Sequence, residues 1–244
     1  MATPFSPTRQ DVERYRRLRA LSLELSHKIF DTVPRQAFAE VGDAIGIRHN
    51  GVLVFDSEDM SGVMADCCLY DWFEDGKNLV QRYAETHTAT PGTDESDLLN
   101  AYTQAKYRVV SMHSAVPDAG VHCRDILDNE EFFVMDLGLS RSLGSGVAAL
   151  ATRTIPLGEY WMTGGAGLPI TSKEAIKRAL IGADGGKHKL LEGPGGFALL
   201  IVRALLADGV ADHVAYETVG TPAREVPSRK PRIEPRFPGF KRRR

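Results

Sequence analysis

The sequence predicts an α+β protein: an N-terminal helical region over residues 1–105, a small antiparallel β domain or barrel over 106–170, C-terminal helices over 171–218 and a disordered basic tail over 219–244. Three observations carry this. Apolar residues recur at helical spacing through the first hundred positions, short β-branched and aromatic runs replace them near residue 106, and beyond about residue 218 prolines alternate with Lys and Arg without an apolar face.

The first helix is expected over 8–30, where Val12, Tyr15, Leu18, Leu21, Leu25 and Ile29 share one stripe and Thr8 stands ready to cap it. A shorter helix follows, with Pro34 in its first turn, Val33, Phe38, Val41 and Ile45 on one side and Gly46 ending it. The segment HNGVLVF then turns at Asn50-Gly51 into a short extended run. From Asp56 the helical period returns with Met64, Cys68, Leu69, Trp72 and Phe73, and Gly76 is placed as a left-handed cap. NLVQRYAE and LLNAYTQA give two further helical segments around the polar loop at 87–97.

The runs KYRVVSMHS, GVHCRDIL, EFFVMDLG and GVAALATRTIPL, separated by turn signals, read as strands at roughly ten-residue spacing, and GEYWMTGGAGLPI extends the β region. Thr171 and Glu174 then form a capping box before a helix, and FALLIVRALLADG reads as a buried helix.

The charge is unevenly placed. Residues 221–244 hold nine basic side chains (224, 229, 230, 232, 236 and 241–244) against Glu225 and Glu234, a net +7, whereas the whole chain is −2. The remaining 220 residues therefore carry −9. Basic residues that cannot pack remain available to neutralise phosphates, so nucleic acid or an acidic protein surface is the expected partner. The residues assigned to that contact are Arg229, Lys230, Arg232, Arg236, Lys241, Arg242, Arg243 and Arg244, with Phe240 and its neighbour Phe237 able to stack on bases. The competing reading is a solubilising tail or a linker to a further segment.

Other sites are weighed against simpler explanations. On one continuous helix, Cys67, Asp71 and Asp75 would share a face and offer two carboxylates and a thiolate to a cation; the alternative is a solvated acidic face with Cys68 in the core. A hairpin turning at Pro117-Asp118 would set His113 opposite His122 near Cys123 and Asp125, giving the candidate metal set Asp71, Asp75, His113 and His122. A one-residue slip in register would separate the two histidines. The loop TGGAGLPITSK lacks the order of a phosphate-binding loop, although a helix start there offers free N–H groups to an anion. No G-x-S-x-G elbow occurs and no motif names a cofactor.

Three cysteines, two of them adjacent, make no disulfide framework, which points to a reducing compartment. The N-terminus carries charge every few residues, unlike a secretory signal, and FALLIV is too short to span a bilayer. A cytoplasmic protein is expected.

Four patterns together carry a resemblance: V-M-x-D-x-x-x-Y-D at 63–71, D-G-K-N at 75–78, G-V-x-x-R-D-I-L at 120–127 and L-A-T-R-x-I-P-L at 150–157. They resemble uncharacterised bacterial proteins that often end in a cysteine-rich zinc module similar to the C-terminus of SecA, the SEC-C motif. The resemblance covers about residues 15–170 and implies a fold rather than a chemistry. It departs after PRFPGFKRRR, where the sequence stops short of the module's cysteines; either this member lacks the module or the chain has been trimmed, and no zinc ligand is carried over.

The functional expectation is a non-catalytic cytosolic interaction protein that engages nucleic acid or another macromolecule through its tail. Two alternatives stand beside it. One is a metal-dependent hydrolase or nuclease using Asp66, Asp71 and Asp75 with His113 or His122; the other is a structural or assembly protein.

Overall fold

The computed structural model describes residues 5–55, 58–142, 149–170, 174, 177 and 194–209. Helix α1 (Arg9–Phe30) opens with a capping box: the Thr8 hydroxyl accepts from the Asp11 N–H, and the Asp11 carboxylate accepts from the Thr8 N–H at 2.8 Å. Its buried stripe of Tyr15, Leu18, Ser22, Leu25 and Ile29 follows the expected spacing. Helix α2 (Arg35–Ile45) begins just after Pro34 and ends at the left-handed Gly46. The Asn50-Gly51 turn joins β1 (Arg48–His49) to β2 (Val52–Leu53) in a small hairpin.

Helix α3 (Glu58–Tyr70) is shorter than its apolar pattern predicts. It stops at Tyr70, and β3 (Phe73–Glu74) and β4 (Lys77–Asn78) form a tight hairpin around Asp75 and Gly76, both at positive φ. Gly76 thus serves a hairpin turn instead of a helix cap. Asn78 then caps α4 (Leu79–Thr86) and donates from its side chain to the Tyr70 carbonyl at 3.0 Å, tying the hairpin to the end of α3. Helix α5 (Asp94–Thr103) starts from a Thr93 cap.

The β region is a six-stranded sheet that closes on itself. Its strands are β5 (Lys106–Val116), β6 (Gly120–Asp125), β7 (Glu131–Met135), β8 (Ala149–Pro156), β9 (Trp161–Thr163) and β10 (Leu168–Pro169), in the order β10-β8-β5-β6-β7-β9. Strand β9 also pairs with β8, Ile155 opposite Met162, so β5, β6, β7, β9 and β8 form a five-stranded barrel. Closure leaves those five strands with no long free edge. One pair departs from the antiparallel expectation: β7 and β9 run parallel, Val134 beside Trp161. The six-residue α6 (Leu137–Ser142), which the sequence patterns do not announce, follows β7.

The alternation along the strands separates two apolar layers. Val110, Met112, Val121, Cys123, Val134 and Leu150 fill the barrel with help from Phe132 and Trp161. Val109, Phe133, Met135, Ala151, Ile155 and Met162 face outward and join the core formed by α1, α2, α3, α5 and α7 (Gly196–Ala207). Helix α7 lies against α2, and its buried residues include Ile201, Val202 and Leu205. Among the described residues no helix is long and apolar enough to cross a membrane.

Candidate functional site: a buried arginine between two carboxylates

Strand β8 carries Arg153 on its outward face, where α3 covers it, and the guanidinium would be left uncompensated there without acidic partners. Two carboxylates meet it. Its Nε and Nη2 donate to Asp66 Oδ2 at 3.2 and 3.0 Å, and Nη2 also donates to Asp71 Oδ2. Arg153, Asp66 and Asp71 are 4%, 8% and 6% exposed, so this is an ion cluster inside the core.

Two tyrosines complete the clamp. The guanidinium lies 4.6 Å from the Tyr70 ring centre and 5.1 Å from that of Tyr107, which stands opposite Arg153 on β5. Backbone closes it further. The Gly164 N–H donates to the Arg153 carbonyl at 2.9 Å, and a Cβ on Gly164 would come within 3.2 Å of Asp66 Oδ1. Gly195, at φ +86°, brings the start of α7 so near that a Cβ there would lie 2.6 Å from the Asp71 carbonyl oxygen.

The electrostatics follow from burial. Desolvation raises the Asp66 carboxyl despite Arg153, and it pushes Asp71 up to about 7, with Arg153 opposing and the Asp66 charge adding to the rise. Burial opposes the charge on Arg153, but the two carboxylates outweigh it and hold the guanidinium protonated. The thiols are unreactive in this setting: desolvation, then the Asp71 and Asp66 charges, push Cys67 well up, and burial with Asp71 pushes Cys68 up to about 12.

A second arginine on the same wall is held the same way from inside the barrel. Arg108 follows Tyr107 on β5 and therefore points inward, 4.8 Å from the ring centres of both Phe132 and Trp161. Its Nη1 donates to Asp125 at 3.0 Å and its Nη2 to Glu130 at 2.6 Å. Asp125 also accepts from the Leu127 N–H at 2.8 Å, so the pair fixes the β6–β7 turn.

The candidate metal set does not come together. Cys68 is in the core as expected, but the solvated acidic face at residues 67–75 is not formed, because Cys67 is fully buried too and α3 ends before Asp71. Asp71 turns into the core while Asp75 is exposed at the β3–β4 turn. The β5–β6 register sets His122 opposite Ser114, and His113 falls at the bulge between Met112 and Ser114. His122 instead packs edge-on to Phe133 at 4.9 Å. Among the described residues no group of three or more His, Cys, Asp or Glu is placed to hold a metal ion. The tail residues Arg229, Lys230, Arg232, Arg236, Phe240, Lys241, Arg242, Arg243 and Arg244 lie outside the described residues, as does the helix start at Thr171.

The four sequence patterns acquire a physical meaning here. Asp66, Tyr70 and Asp71 come from the pattern at 63–71 and Arg153 from that at 150–157, and they meet in one cluster. Asp125, from the pattern at 120–127, holds Arg108.

A family model described as a family of unknown function (DUF7986) matches residues 9–180. The chain belongs to that family. The DUF7986 match runs from α1 past β10 and takes in both arginine clusters, while α7 and residues 221–244 lie beyond it. Neither the curated proteins nor the solved structures yield a match.

Proposed function

We propose that this DUF7986 protein is a non-catalytic interaction protein whose folded body carries a polyanion-binding segment, residues 221–244, with nucleic acid as its partner. The observation that carries the reading is the segregation of charge: +7 in those 24 residues and −9 in the other 220. A net-negative body repels phosphate and confines attraction to the basic segment.

The chemistry of the body supports the same reading. Its most deeply buried charges, Arg153 and Arg108, are already engaged by carboxylates, and the thiols of Cys67, Cys68 and Cys123 are all raised by burial. These groups brace the fold and leave recognition to the surface.

The test is binding of fluorescent single-stranded RNA and duplex DNA by the full chain and by a full-length variant with its nine tail Lys and Arg replaced by Gln, at low and physiological salt. The native chain is expected to bind at low salt and to weaken steeply as salt rises, because each neutralised phosphate releases a counterion. The variant is expected to lose most of that affinity. Equal binding by the two chains would remove the tail from the interaction, and no binding by either would remove nucleic acid as the partner.

A further inference from the structure

The fastening between α3 and the barrel contains two carboxylates and one guanidinium. Arg153 Nη2 touches Asp66 Oδ2 and Asp71 Oδ2 together, so the acids crowd one nitrogen instead of each having its own cation. With every group ionised the cluster would hold one uncompensated negative charge in the core, and a charge without a partner there is strongly disfavoured.

Among the described residues the surroundings offer no second cation to cancel it. From α3 the cluster is faced by Cys67, Cys68 and Tyr70, from β5 by Tyr107 and from α5 by Tyr102, while Gly164 and Gly195 present backbone. None of these carries positive charge. Arg19 of α1 donates from Nη1 to the Thr163 carbonyl at 2.7 Å and pairs with neither acid. Among the described residues, Arg153 is the one cation in contact with Asp66 or Asp71.

The geometry points to a proton held between Asp66 and Asp71 as a working part of the fastening, so that the docking of α3 and β8 loosens as the pH rises toward neutrality and the proton leaves. The raised proton affinities of both carboxyls agree with this, since burial outweighs the arginine at each and pushes Asp71 up to about 7. The proton belongs to the pair, and which oxygen carries it is secondary. When the cluster opens, the acids regain ordinary carboxyl affinities near 4. Opening therefore releases one proton, and its equilibrium constant rises roughly tenfold per pH unit between about 4 and about 7, then levels off.

Hydrogen exchange of the full chain, corrected for the intrinsic pH dependence of amide exchange, reads this directly. In the native protein, protection of residues 58–70 and 149–156 is expected to fall about tenfold per pH unit across the acidic range and to flatten above neutrality. Asp71→Asn, which mimics the protonated acid, is expected to remove that slope, and Asp66→Asn provides the same reading if Asp71→Asn fails to fold. Carboxyl carbon NMR of the native chain supplies an independent measure: one aspartate is expected to titrate far above the others. A native slope that is absent, or one that survives in the Asn variant, would overturn the inference, as would a spectrum with every aspartate ionising near 4.

Discussion

At the scale of single residues, Arg153 is the group whose removal should matter most. Replacing it by Met keeps much of its volume but leaves Asp66 and Asp71 buried without a counter-charge. Breaking a buried ion pair from one side costs about 3–5 kcal/mol, because the orphaned charge remains. The loss has a predictable sign with pH. Both folded-state carboxyl pKa values are already raised, and removal of the guanidinium raises them further. Their contribution is therefore most favourable in acid, where the buried acids are neutral, and is lost as pH rises through the raised values. Urea unfolding of Arg153→Met should show a large stability loss at neutral pH that shrinks toward pH 4–5, near the ordinary carboxyl range. The triple variant with Asp66→Asn and Asp71→Asn should recover much of it. A loss independent of pH would show that stacking on Tyr70 and Tyr107, not charge, holds the residue in place.

The signal for this cluster is present in the sequence but easily misread. Arg153 stands within ALATRTIP, a run that otherwise buries itself, and a buried arginine requires carboxylates. Asp66 and Asp71 stand in an apolar stretch, but an uninterrupted helix through Gly76 would have turned Asp71 and Asp75 outward together. The end of α3 at Tyr70 changes that direction, and the cause is local: Asp75-Gly76 makes a hairpin turn and Asn78 caps the next helix. The histidine pair fails for a similar reason. One bulge after Met112 displaces His113, and a bulge leaves little trace in a strand's composition.

Elements defined by strong periodicity or explicit end signals were legible. Helix α1 with its Thr8 cap, α2 with Gly46 and the strands β5 to β8 all fall where side-chain spacing puts them. The parallel β7–β9 pair and the short α6 did not, because both depend on how the barrel closes over distances that local patterns do not encode. The start of α7 shows how such long-range demands reach a single element. Gly195 combines a left-handed backbone with close approach to the Asp71 carbonyl. Gly195→Ala should therefore cost about 1–3 kcal/mol, through both positive-φ strain and overpacking. Urea unfolding provides the magnitude, and hydrogen exchange should place the loosening at α7 and residues 66–71. An effect below about 0.5 kcal/mol, typical of a neutral surface change, would mean that the approach relaxes freely.

At the scale of the whole molecule, the outer face of the barrel and the helices share one apolar core. It runs from Leu18 and Ile29 through Met64 and Cys67 to Phe133, Ile155 and Met162, and continues to Ile201 in α7. Arg153 and its two carboxylates cross the same boundary. Layers that share a core and a buried ion cluster lose their stabilisation together, so helical region and barrel should unfold in one cooperative step. Calorimetry of the full chain is expected to give a single transition whose van't Hoff and calorimetric enthalpies agree. Far-ultraviolet circular dichroism, which follows the helices, should have the same midpoint as the fluorescence of Trp161 and Trp72. These two indoles sit in different layers, Trp161 against Phe132 and Trp72 donating from its Nε1 to Glu40 at 2.8 Å, so each layer has its own reporter. Trp161→Phe and Trp72→Phe variants separate the two signals. Coincident midpoints would make the body one folding unit that carries residues 221–244; separated midpoints would mean that the ion cluster joins two bodies able to fold apart.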